Sequence, residues 1–391
     1  QNLGYFTANR GKTDYNSTDA ERLIEESWSE ASEDAHWRDR PDGAPFFTVF
    51  NPRVTHQSRI SFLDQEFAAL EPHLGTHDPE LAPLPPYYPD TPVVRQTWAR
   101  YHDAVTAFDD RVGELLDQLE ADGLADSTVV FVYSDHGFGL PRGKRMLTDS
   151  GLGVPLIVRI PEAYDHLRPA QPGEATDELV SFIDFPPTVL RLAGAEVPDY
   201  MQGRAFLGEG APGPRQYVYG ARDRVDEAIE KSRSVRTKRY LYVRNFFPHI
   251  SWAAPEFYSD RAPIRQNMLA LSEKGRLNEE QYTYTGPSKP DEALFDVKAD
   301  PHQLHNLAQS PAHQDVLERL RARLHGWMRE TRDMGLLPEE TMMRWSREGA
   351  DPLDFGSDSD RYPIGRILEV AAMVGDPANV ARQADLLDAE Q

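Results

Sequence analysis

The sequence predicts an α/β protein in which a mainly parallel sheet is sandwiched by helices and is followed by a smaller C-terminal α+β subdomain. An uninterrupted β-branched and aromatic run, Thr128 to Tyr133, is typical of a central strand that is covered on both faces. A second apolar run, Val154 to Ile160, predicts another strand of the same kind. Strand, long helix, strand, strand and helix follow one another in the first half of the chain, which is the order of a parallel α/β sandwich.

Local signals support the other elements of this half. Ala44 to Phe50 is a short apolar run after a turn and predicts a buried strand. Thr91 and Pro92 predict the cap and the first turn of a long helix that ends at Gly123. Asp184 to Leu192 predicts a further helix. The long helix has an apolar face that repeats every three or four positions and consists of Trp98, Tyr101, Val105, Phe108, Val112, Leu115 and Leu119.

A Gly/Pro-rich segment, Gly208 to Pro214, marks a change in the pattern of the chain. We expect an α/β domain at 1–212, an α+β subdomain at 213–337, and a linker with a helical tail at 338–391. In the tail, Ile364 to Leu387 has a helical pattern with no obvious partner. The subdomain is predicted from three half-exposed strands and one amphipathic helix, which are Gln216 to Gly220, Ser234 to Arg244, Ala293 to Val297 and Val316 to Met328.

The composition limits the classes of function. Acidic residues outnumber basic ones by 64 to 42, which gives a formal net charge of −22, the opposite of the balance in nucleic-acid-binding proteins. An anionic substrate therefore requires a local pocket, helped by a bound cation, that reverses the field. Without cysteine, the 391 residues contain no disulfide, thiolate metal site or cysteine nucleophile. No apolar run approaches the ~20 residues of a membrane-spanning helix, and no signal peptide follows Gln1.

The sharpest chemical signal is Asp135-His136, which follows the strand ending at Tyr133. Ligands of open α/β sheets bind beyond the carboxyl ends of the strands, and Gly137 allows the backbone to turn away there. A carboxylate beside an imidazole forms half of a site for a divalent cation. The alternative is that Asp135 caps the following turn and His136 is a surface residue.

Two lysines and a second histidine add to this signal. Lys144 lies in the basic loop Pro141 to Arg145, where it could hold an anionic oxygen near the metal as a point charge. Lys12 stands beside a glycine, and His56 lies on the loop after the first apolar strand. If both strands belong to one sheet, His56 and His136 emerge at the same edge. The alternatives are a solvated basic turn and structural histidines.

From about Gly4 to Leu337 the chain resembles a sulfatase of the alkaline phosphatase superfamily. The Gly-Lys pair, the strand that ends in Thr55-His56, the long helix, Ser-Asp-His-Gly and Gly-Lys-Arg follow in the family's order. Pro290 to Ala308 resembles the family's C-terminal strand-and-turn signature. Pro85 to Arg95 and the Gly-Lys-Arg loop are similar to bacterial relatives of the sulfamidases, which remove sulfate from sulfated sugars. The resemblance implies an alkaline phosphatase-like fold.

The resemblance also implies roles for individual residues. Asp135 and His136 match a pair of calcium ligands, and Lys144 matches the cation that contacts the sulfate and the nucleophile. Lys12 matches the lysine of the family's Gly-Lys-x-His segment, and His56 matches the histidine on the leaving-group side of the sulfate. Calcium takes carboxylate and sulfate oxygens together. The metal and the lysines then neutralise charge that develops on those oxygens, and a histidine can protonate the leaving atom.

Two features depart from the family's pattern. The formylglycine nucleophile, which is made from cysteine or serine in a Cys-x-Pro-x-Arg segment, has no counterpart here, nor has the paired Asp-Asp that supplies further metal ligands. We expect both upstream of Gln1. Asp14 stands where the family usually has a histidine next to the nucleophile. An aspartate can accept the same proton, but it adds negative charge beside an anionic substrate.

Arg222, Arg224 and His249 lie in the predicted C-terminal subdomain, which often borders the substrate pocket in this family. We expect them to contact a sulfated sugar, and the alternative is that they are structural. The resemblance favours a periplasmic or extracellular location. A homo-oligomer and a companion N-terminal fragment both stay open as partners.

Three functions stay open from the sequence. The first is calcium-dependent hydrolysis of a sulfate ester, or a sulfamate, on a sulfated carbohydrate by an upstream formylglycine. The second is that of a phosphodiesterase or phosphonate monoester hydrolase, because the same arrangement of charges can serve phosphoryl transfer. The third is a non-catalytic sugar-binding protein, to which the missing nucleophile and Asp14 both point.

Overall fold

The computed structural model describes residues 3–62, 68–349, 351–374 and 377–382. Its strands are β1 Phe6–Arg10, β2 Glu30–Ser32, β3 Phe46–Phe50, β4 Val130–Tyr133, β5 Leu156–Arg159, β6 Val218–Val225, β7 Ala228–Arg236, β8 Tyr240–Asn245 and β9 Glu292–Asp296. Its helices are α1 Ala20–Ser27, α2 Gln57–Ser61, α3 Pro92–Ala121, α4 Asp149–Leu152, α5 Phe185–Leu192, α6 Phe257–Asp260, α7 Pro263–Glu273, α8 Glu279–Thr285, α9 Gln314–Glu330, α10 Glu339–Arg347, α11 Pro352–Ser357 and α12 Ile364–Ala371.

The first sheet is parallel and has the order β2-β1-β3. Its central strand, β1, is not among the predicted strands, although Ala8 and Asn9 are buried in it. Arg10, the last residue of β1, pairs with Phe50, the last residue of β3. Because the two strands are parallel and end together, the loops that follow them leave the sheet at the same edge.

The strands β4 and β5 form a separate antiparallel pair. The expectations that β4 is a central strand covered on both faces, and that it shares a sheet with β3, are both wrong. The chain between them folds back on itself, and Gly137 donates its backbone N–H to the carbonyl oxygen of Gly151 at 2.9 Å. This closure returns the chain alongside β4 in the opposite direction. Tyr133 is exposed, and Ile157 of β5 is exposed as well.

The long helix α3 has the predicted bounds. Thr91 is its cap and accepts a hydrogen bond from the backbone N–H of Val94 through its hydroxyl, and Pro92 occupies the first position. Its apolar face packs against α2 and α7 around Val94, Trp98 and Ile264. In the described part of the chain, no helix combines the length and apolarity that crossing a membrane requires.

The C-terminal unit is an antiparallel sheet in the order β6-β7-β8-β9 with α9 packed against β7 and β8. The single strand predicted from Ser234 to Arg244 is in fact the end of β7 and most of β8. A turn separates them, in which Thr237 donates its backbone N–H to the carbonyl oxygen of Tyr240 at 2.8 Å. Val235 at the end of β7 and Tyr240, Tyr242 and Val243 in β8 place β-branched and aromatic residues on both sides of the turn, so the sequence pattern does not reveal it.

The C-terminal tail packs on this unit, contrary to the expectation that it has no partner. Tyr362, Ile364 and Leu368 are buried in one apolar cluster with α9. The predicted helix from Ile364 to Leu387 ends at Ala371 in the described structure, and its last part, 383–387, lies outside the described residues. The division at 212 and 337 stays a prediction.

We expect Leu368→Ala to lower the free energy of unfolding by about 2–5 kcal/mol, because the truncation leaves a cavity in the C-terminal core. Leu353→Ala is the matched control, since Leu353 is 80% exposed, and it should change the stability by less than about 0.5 kcal/mol. Urea unfolding of both variants measures the difference. Equal effects would contradict the packing of the tail.

Candidate active site

The loops after β1 and β3 are tied to each other by asparagine side chains. The Nδ2 of Asn51 donates to the Oδ1 of Asn9 at 2.9 Å and to the carbonyl oxygen of Arg10 at 3.0 Å. The Nδ2 of Asn9 in turn donates to the carbonyl oxygen of Lys12 at 3.0 Å. Gly11 adopts a φ of +97°, which favours glycine, so the chain can turn between β1 and Lys12. Lys12 is thereby fixed beside the loop that leads to His56.

The loop 137–148, which we call the Lys144 loop, is compact because several of its glycines leave no room for a side chain. A Cβ on Gly143 would lie 2.0 Å from the carbonyl oxygen of Phe138, and one on Gly139 would lie 2.6 Å from the Cβ of Gln57. Lys144 donates its backbone N–H to the same carbonyl of Phe138 at 3.0 Å. The loop therefore packs directly on the first turn of α2, next to His56.

Arg145 strengthens this contact. Its Nη1 donates to the Oε1 of Gln57 at 3.0 Å, and its Nη2 lies 2.6 Å from the Oε1 of Glu256 and 3.3 Å from the Oδ2 of Asp226. Arg142 is 5% exposed, and its Nη2 donates to two backbone carbonyls of the C-terminal unit. Of the three cations in the loop, the two arginines are thus engaged in holding it. The Lys144 side chain makes no ion pair or hydrogen bond with the residues that the structure describes.

The electrostatic environment of His56 identifies its neighbours. Burial lowers the pKa of His56, and the charges of Lys144 and Lys12 lower it further, whereas Asp135 raises it. Burial likewise lowers the pKa of Lys144, with Arg145 as the next cause, while Asp135 acts in the opposite direction. The structure therefore brings together five of the predicted site residues, which we call the five-residue cluster. They are Lys12, His56, Asp135, His136 and Lys144.

His56 and His136 are each held in a defined orientation. The Nδ1 of His56 accepts a hydrogen bond from the backbone N–H of Ser58 at 3.3 Å and also lies 2.8 Å from the Ser58 hydroxyl. In the neutral ring the proton therefore resides on Nε2. The Nδ1 of His136 lies 2.7 Å from the carbonyl oxygen of Gly137, to which it donates, so its Nε2 keeps a free lone pair.

This orientation of His136 fits a metal ligand. Metal-binding histidines typically donate their second ring nitrogen to a carboxylate or a backbone carbonyl. The Nε2 of His136 lies 3.7 Å from the Oδ1 of Asp135, whose side chain is 69% exposed. Among the described residues, no group of three or more histidine and acidic side chains could hold a metal ion. Asp135 and His136 can therefore supply two ligands to a divalent cation, and further ligands are needed to complete its coordination.

The remaining predicted residues lie outside this cluster or at its border. Asp14 is 3.8 Å from the Nζ of Lys12, and both side chains are about half exposed or more, so the pair is worth less than about 1 kcal/mol. Arg222 is largely buried and donates to the carbonyl oxygen of Arg145 at 2.7 Å. No hydrogen bond or ion pair between described residues joins Arg222, Arg224 or His249 to the five-residue cluster. Their contact with a substrate stays a prediction.

Arg224 and His249 have other neighbours. The Nε of Arg224 lies 3.0 Å from the Oε1 of Glu339, and its Nη1 donates to the carbonyl oxygen of Asp226. The ring of His249 lies 5.6 Å from that of Phe247. The sequence analysis missed the positioning residues Asn9, Asn51, Gln57, Arg145 and Glu256. A signal existed for Asn51 and Gln57, which follow a strand and flank His56 on its loop, but none existed for Glu256.

Two family models match the chain. The model described as Sulfatase matches residues 5–195, and the model described as N-sulphoglucosamine sulphohydrolase, C-terminal, matches residues 135–274. The two matches overlap in the segment that carries Asp135, His136 and Lys144.

Individual relatives agree with these matches. The chain is 36% identical over 382 residues to an ulvan-active sulfatase of Formosa agariphila. This alignment covers 90% of this chain and 62% of the relative. It is 28% identical over 274 residues to the human N-sulphoglucosamine sulphohydrolase. This alignment covers 66% of this chain and 52% of the relative. The chain therefore spans between half and two thirds of the length of these two relatives.

A solved structure supports the fold. It comes from work on the metabolism of multiple glycosaminoglycans by Bacteroides thetaiotaomicron and superposes with a TM-score of 0.51 at 22% identity. The match covers 83% of this chain and 58% of that chain.

We expect Gly143→Ala to destabilise the protein by about 1–3 kcal/mol, because the added Cβ overlaps a backbone carbonyl. Gly113→Ala is the matched control: Gly113 lies in α3 with nothing within 4 Å of an added Cβ, so the change should stabilise the helix by up to about 1 kcal/mol. Thermal unfolding compares the two variants. A Gly143→Ala protein as stable as the parent would contradict the close packing of the Lys144 loop.

Proposed function

Since the chain belongs to the sulfatase family of the alkaline phosphatase superfamily, we propose that it carries part of the active site of a sulfuric ester hydrolase. Its reaction is the hydrolysis of a sulfate ester, or a sulfamate, on a sulfated carbohydrate. The observation that carries this proposal is the convergence of Lys12, His56 and Lys144 with the Asp135-His136 pair. Such a cluster combines positive charge, a proton donor and two metal ligands around one point.

The two lysines bind the anionic substrate. Lys144 makes no ion pair among the described residues, whereas its neighbours Arg142 and Arg145 are engaged, so its ammonium is available for a sulfate oxygen. Lys12 shares its charge with the exposed Asp14 and is the weaker of the two. Partial burial strengthens the attraction of Lys144 for an oxyanion, because the effective dielectric is lower there than in water.

Asp135 and His136 are proposed to hold a calcium ion together with ligands from outside this chain. When bound, the ion supplies positive charge that stabilises the sulfate oxygens. The carboxylate of Asp135 is typical of a calcium site, whereas an imidazole is a softer ligand that also suits transition metals. We further propose that a formylglycine upstream of Gln1 supplies the nucleophile.

His56 is proposed to assist the leaving group. Its Nδ1 accepts the backbone N–H of Ser58, so its Nε2–H is the hydrogen that can be donated to the departing oxygen or nitrogen. Burial and the charges of Lys144 and Lys12 lower the pKa of His56, so the ring must take up a second proton before it can act as an acid. That proton lies on Nδ1, 2.8 Å from the Ser58 hydroxyl, and the anionic substrate favours this form because it offsets the charge of the two lysines.

The nature of the substrate is proposed from the relatives. The similarity to an ulvan-active sulfatase and to an N-sulphoglucosamine sulphohydrolase supports a sulfated carbohydrate. The exposed Arg224 and His249 are proposed as contacts to the sugar. Arg222 is a weaker candidate because its side chain is 9% exposed.

The test of the function uses the purified full-length protein that contains this chain. We expect it to release inorganic sulfate from sulfated polysaccharides and from an aryl sulfate, and to hydrolyse phosphate diesters and phosphonate monoesters more slowly. A preference for the phosphorus esters would favour the phosphodiesterase alternative. No release of sulfate from any sulfated substrate would favour the non-catalytic alternative.

We expect Lys144→Ala to lower kcat/KM for sulfate ester hydrolysis by about 10²–10³-fold, which is typical when one preorganised donor to a developing charge is removed. Lys274→Ala removes the same charge from an exposed position at the end of α7 and should leave kcat/KM unchanged. Circular dichroism spectra that match the parent make the comparison valid. A similar loss in both variants would contradict a direct role for Lys144.

The role of His56 predicts a dependence on the leaving group. His56→Ala should lower the rate by about 10²–10⁴-fold on a sugar sulfate, whose alkoxide leaving group needs a proton. It should lower the rate much less on 4-nitrophenyl sulfate, whose leaving group departs without one. Steady-state kinetics on both substrates measures the ratio, and an equal loss on both would rule out proton donation by His56.

A further inference from the structure

Behind the Lys144 loop lie two small adjacent cavities between this loop and the C-terminal sheet. Each has a volume of about 20 Å³, which is room for one particle of the size of a water molecule. Arg142 from the loop and Arg222 from β6 line both cavities, and so do Met146 and Trp252. The cavities are separate from the five-residue cluster, none of whose members lines them.

The arginines around the cavities are not fully satisfied. The Nη1 of Arg142, the Nε of Arg145 and the Nε of Arg222 are buried and have no hydrogen-bond partner among the described residues. Arg142 is 5% exposed, and the Arg222 side chain is 9% exposed. A buried guanidinium N–H without an acceptor costs about 1–3 kcal/mol, and more when the group is charged. Donors from the Lys144 loop and from β6 thus lie beside two small spaces, whose lining also includes the carboxylates of Glu256 and Glu230.

The carboxylates nearby do not balance the positive charge. Arg145 pairs with Glu256 and Asp226, and Arg265 pairs with Asp260.

Glu230 pairs with Lys289 and lies 4.0 Å from Arg222, which must share it. Arg142 has no carboxylate within ion-pair distance among the described residues and donates to carbonyl oxygens instead. Four arginines and two carboxylates, Glu256 and Glu230, therefore line the two cavities, while Asp226, Asp260 and Asp300 lie beyond the lining. An uncompensated buried charge costs several kcal/mol.

We propose that these cavities form a binding site for one small monatomic anion, chloride in a physiological medium, held between Arg142 and Arg222. The anion accepts the unpartnered N–H groups and cancels the surplus positive charge, which a water molecule cannot do. A sulfate or phosphate ion is too large for a space of this volume. Since Arg142 belongs to the Lys144 loop and Arg222 to the C-terminal sheet, the anion joins the two units. The proposal does not depend on the enzymatic function.

The first test is thermal unfolding of the full-length protein while chloride replaces gluconate at constant ionic strength. Ligand that binds only the folded state raises the melting temperature with saturation, and we expect a rise of a few degrees. Bromide should act in the same way. A melting temperature that does not respond to either halide, or that rises without saturation, would overturn the proposal.

Variants assign the effect to the cavities. Arg222→Gln removes one of the two clamping charges and should abolish the halide-dependent rise. Arg239→Gln is the matched control, because Arg239 lies in the turn between β7 and β8, has a 61% exposed side chain and pairs with Asp296; it should keep the full rise. Loss of the rise in both variants, or in neither, would contradict the assigned site.

The decisive measurement is crystallographic and does not require a variant. In crystals of the unaltered protein grown or soaked in bromide, the anomalous map should show a peak between Arg142 and Arg222. Density for water alone at that place, without an anomalous signal, would overturn the proposal even if Arg222→Gln failed to fold.

Discussion

The placement of the candidate active site depends on one side chain, the buried guanidinium of Arg142. Its Nη2 donates to the carbonyl oxygens of His302 at 3.0 Å and Gln303 at 2.6 Å. Its Cζ lies 4.8 Å from the ring centre of Tyr87, in the segment Pro85 to Arg95. Arg142 also has a φ of +68°, a conformation that costs energy for a residue other than glycine. These contacts of the Arg142 side chain therefore hold a strained backbone two residues before Lys144. They come from Tyr87 in the first part of the chain and from His302 and Gln303 in the C-terminal unit.

The same loop explains how residues far apart in sequence meet. His56 and Lys144 are 88 positions apart, and no strand pairing joins β3 to β4. Their proximity comes instead from α2, whose Gln57 packs against Gly139 and accepts a hydrogen bond from Arg145. Two arginines thus hold the loop in place, and the side chain of the lysine between them makes no hydrogen bond or ion pair with the described residues. The basic loop thus has a structural function, and the proposed function gives it a chemical one.

The sequence predicts the parts of this arrangement whose signals are local. The cap of α3 at Thr91, the turn after β4 and the cation at Lys144 all follow from neighbouring residues. Strand pairing could not be predicted, because the return of β5 alongside β4 is set by the closure of a loop and not by the apolar pattern of either strand. The sequence also gave no indication of which charged residues are buried. Arg233 in β7 is 1% exposed because it pairs with Asp333, 100 positions later, and no local pattern reports such a partner.

An acidic composition is compatible with an anionic substrate because most of the acidic residues are too far from the site to repel the substrate. At physiological ionic strength the Debye length is about 8 Å, so most of the net charge of −22 is screened from a ligand in the site. A ligand at the proposed site is attracted mainly by the nearby charges of Lys12 and Lys144, and by any cation held at Asp135 and His136. Because the site is partly buried, these charges attract an anion more strongly than the same charges would at an open surface. We therefore propose that these four loop residues set the preference for an anion, so the rest of the surface can be acidic.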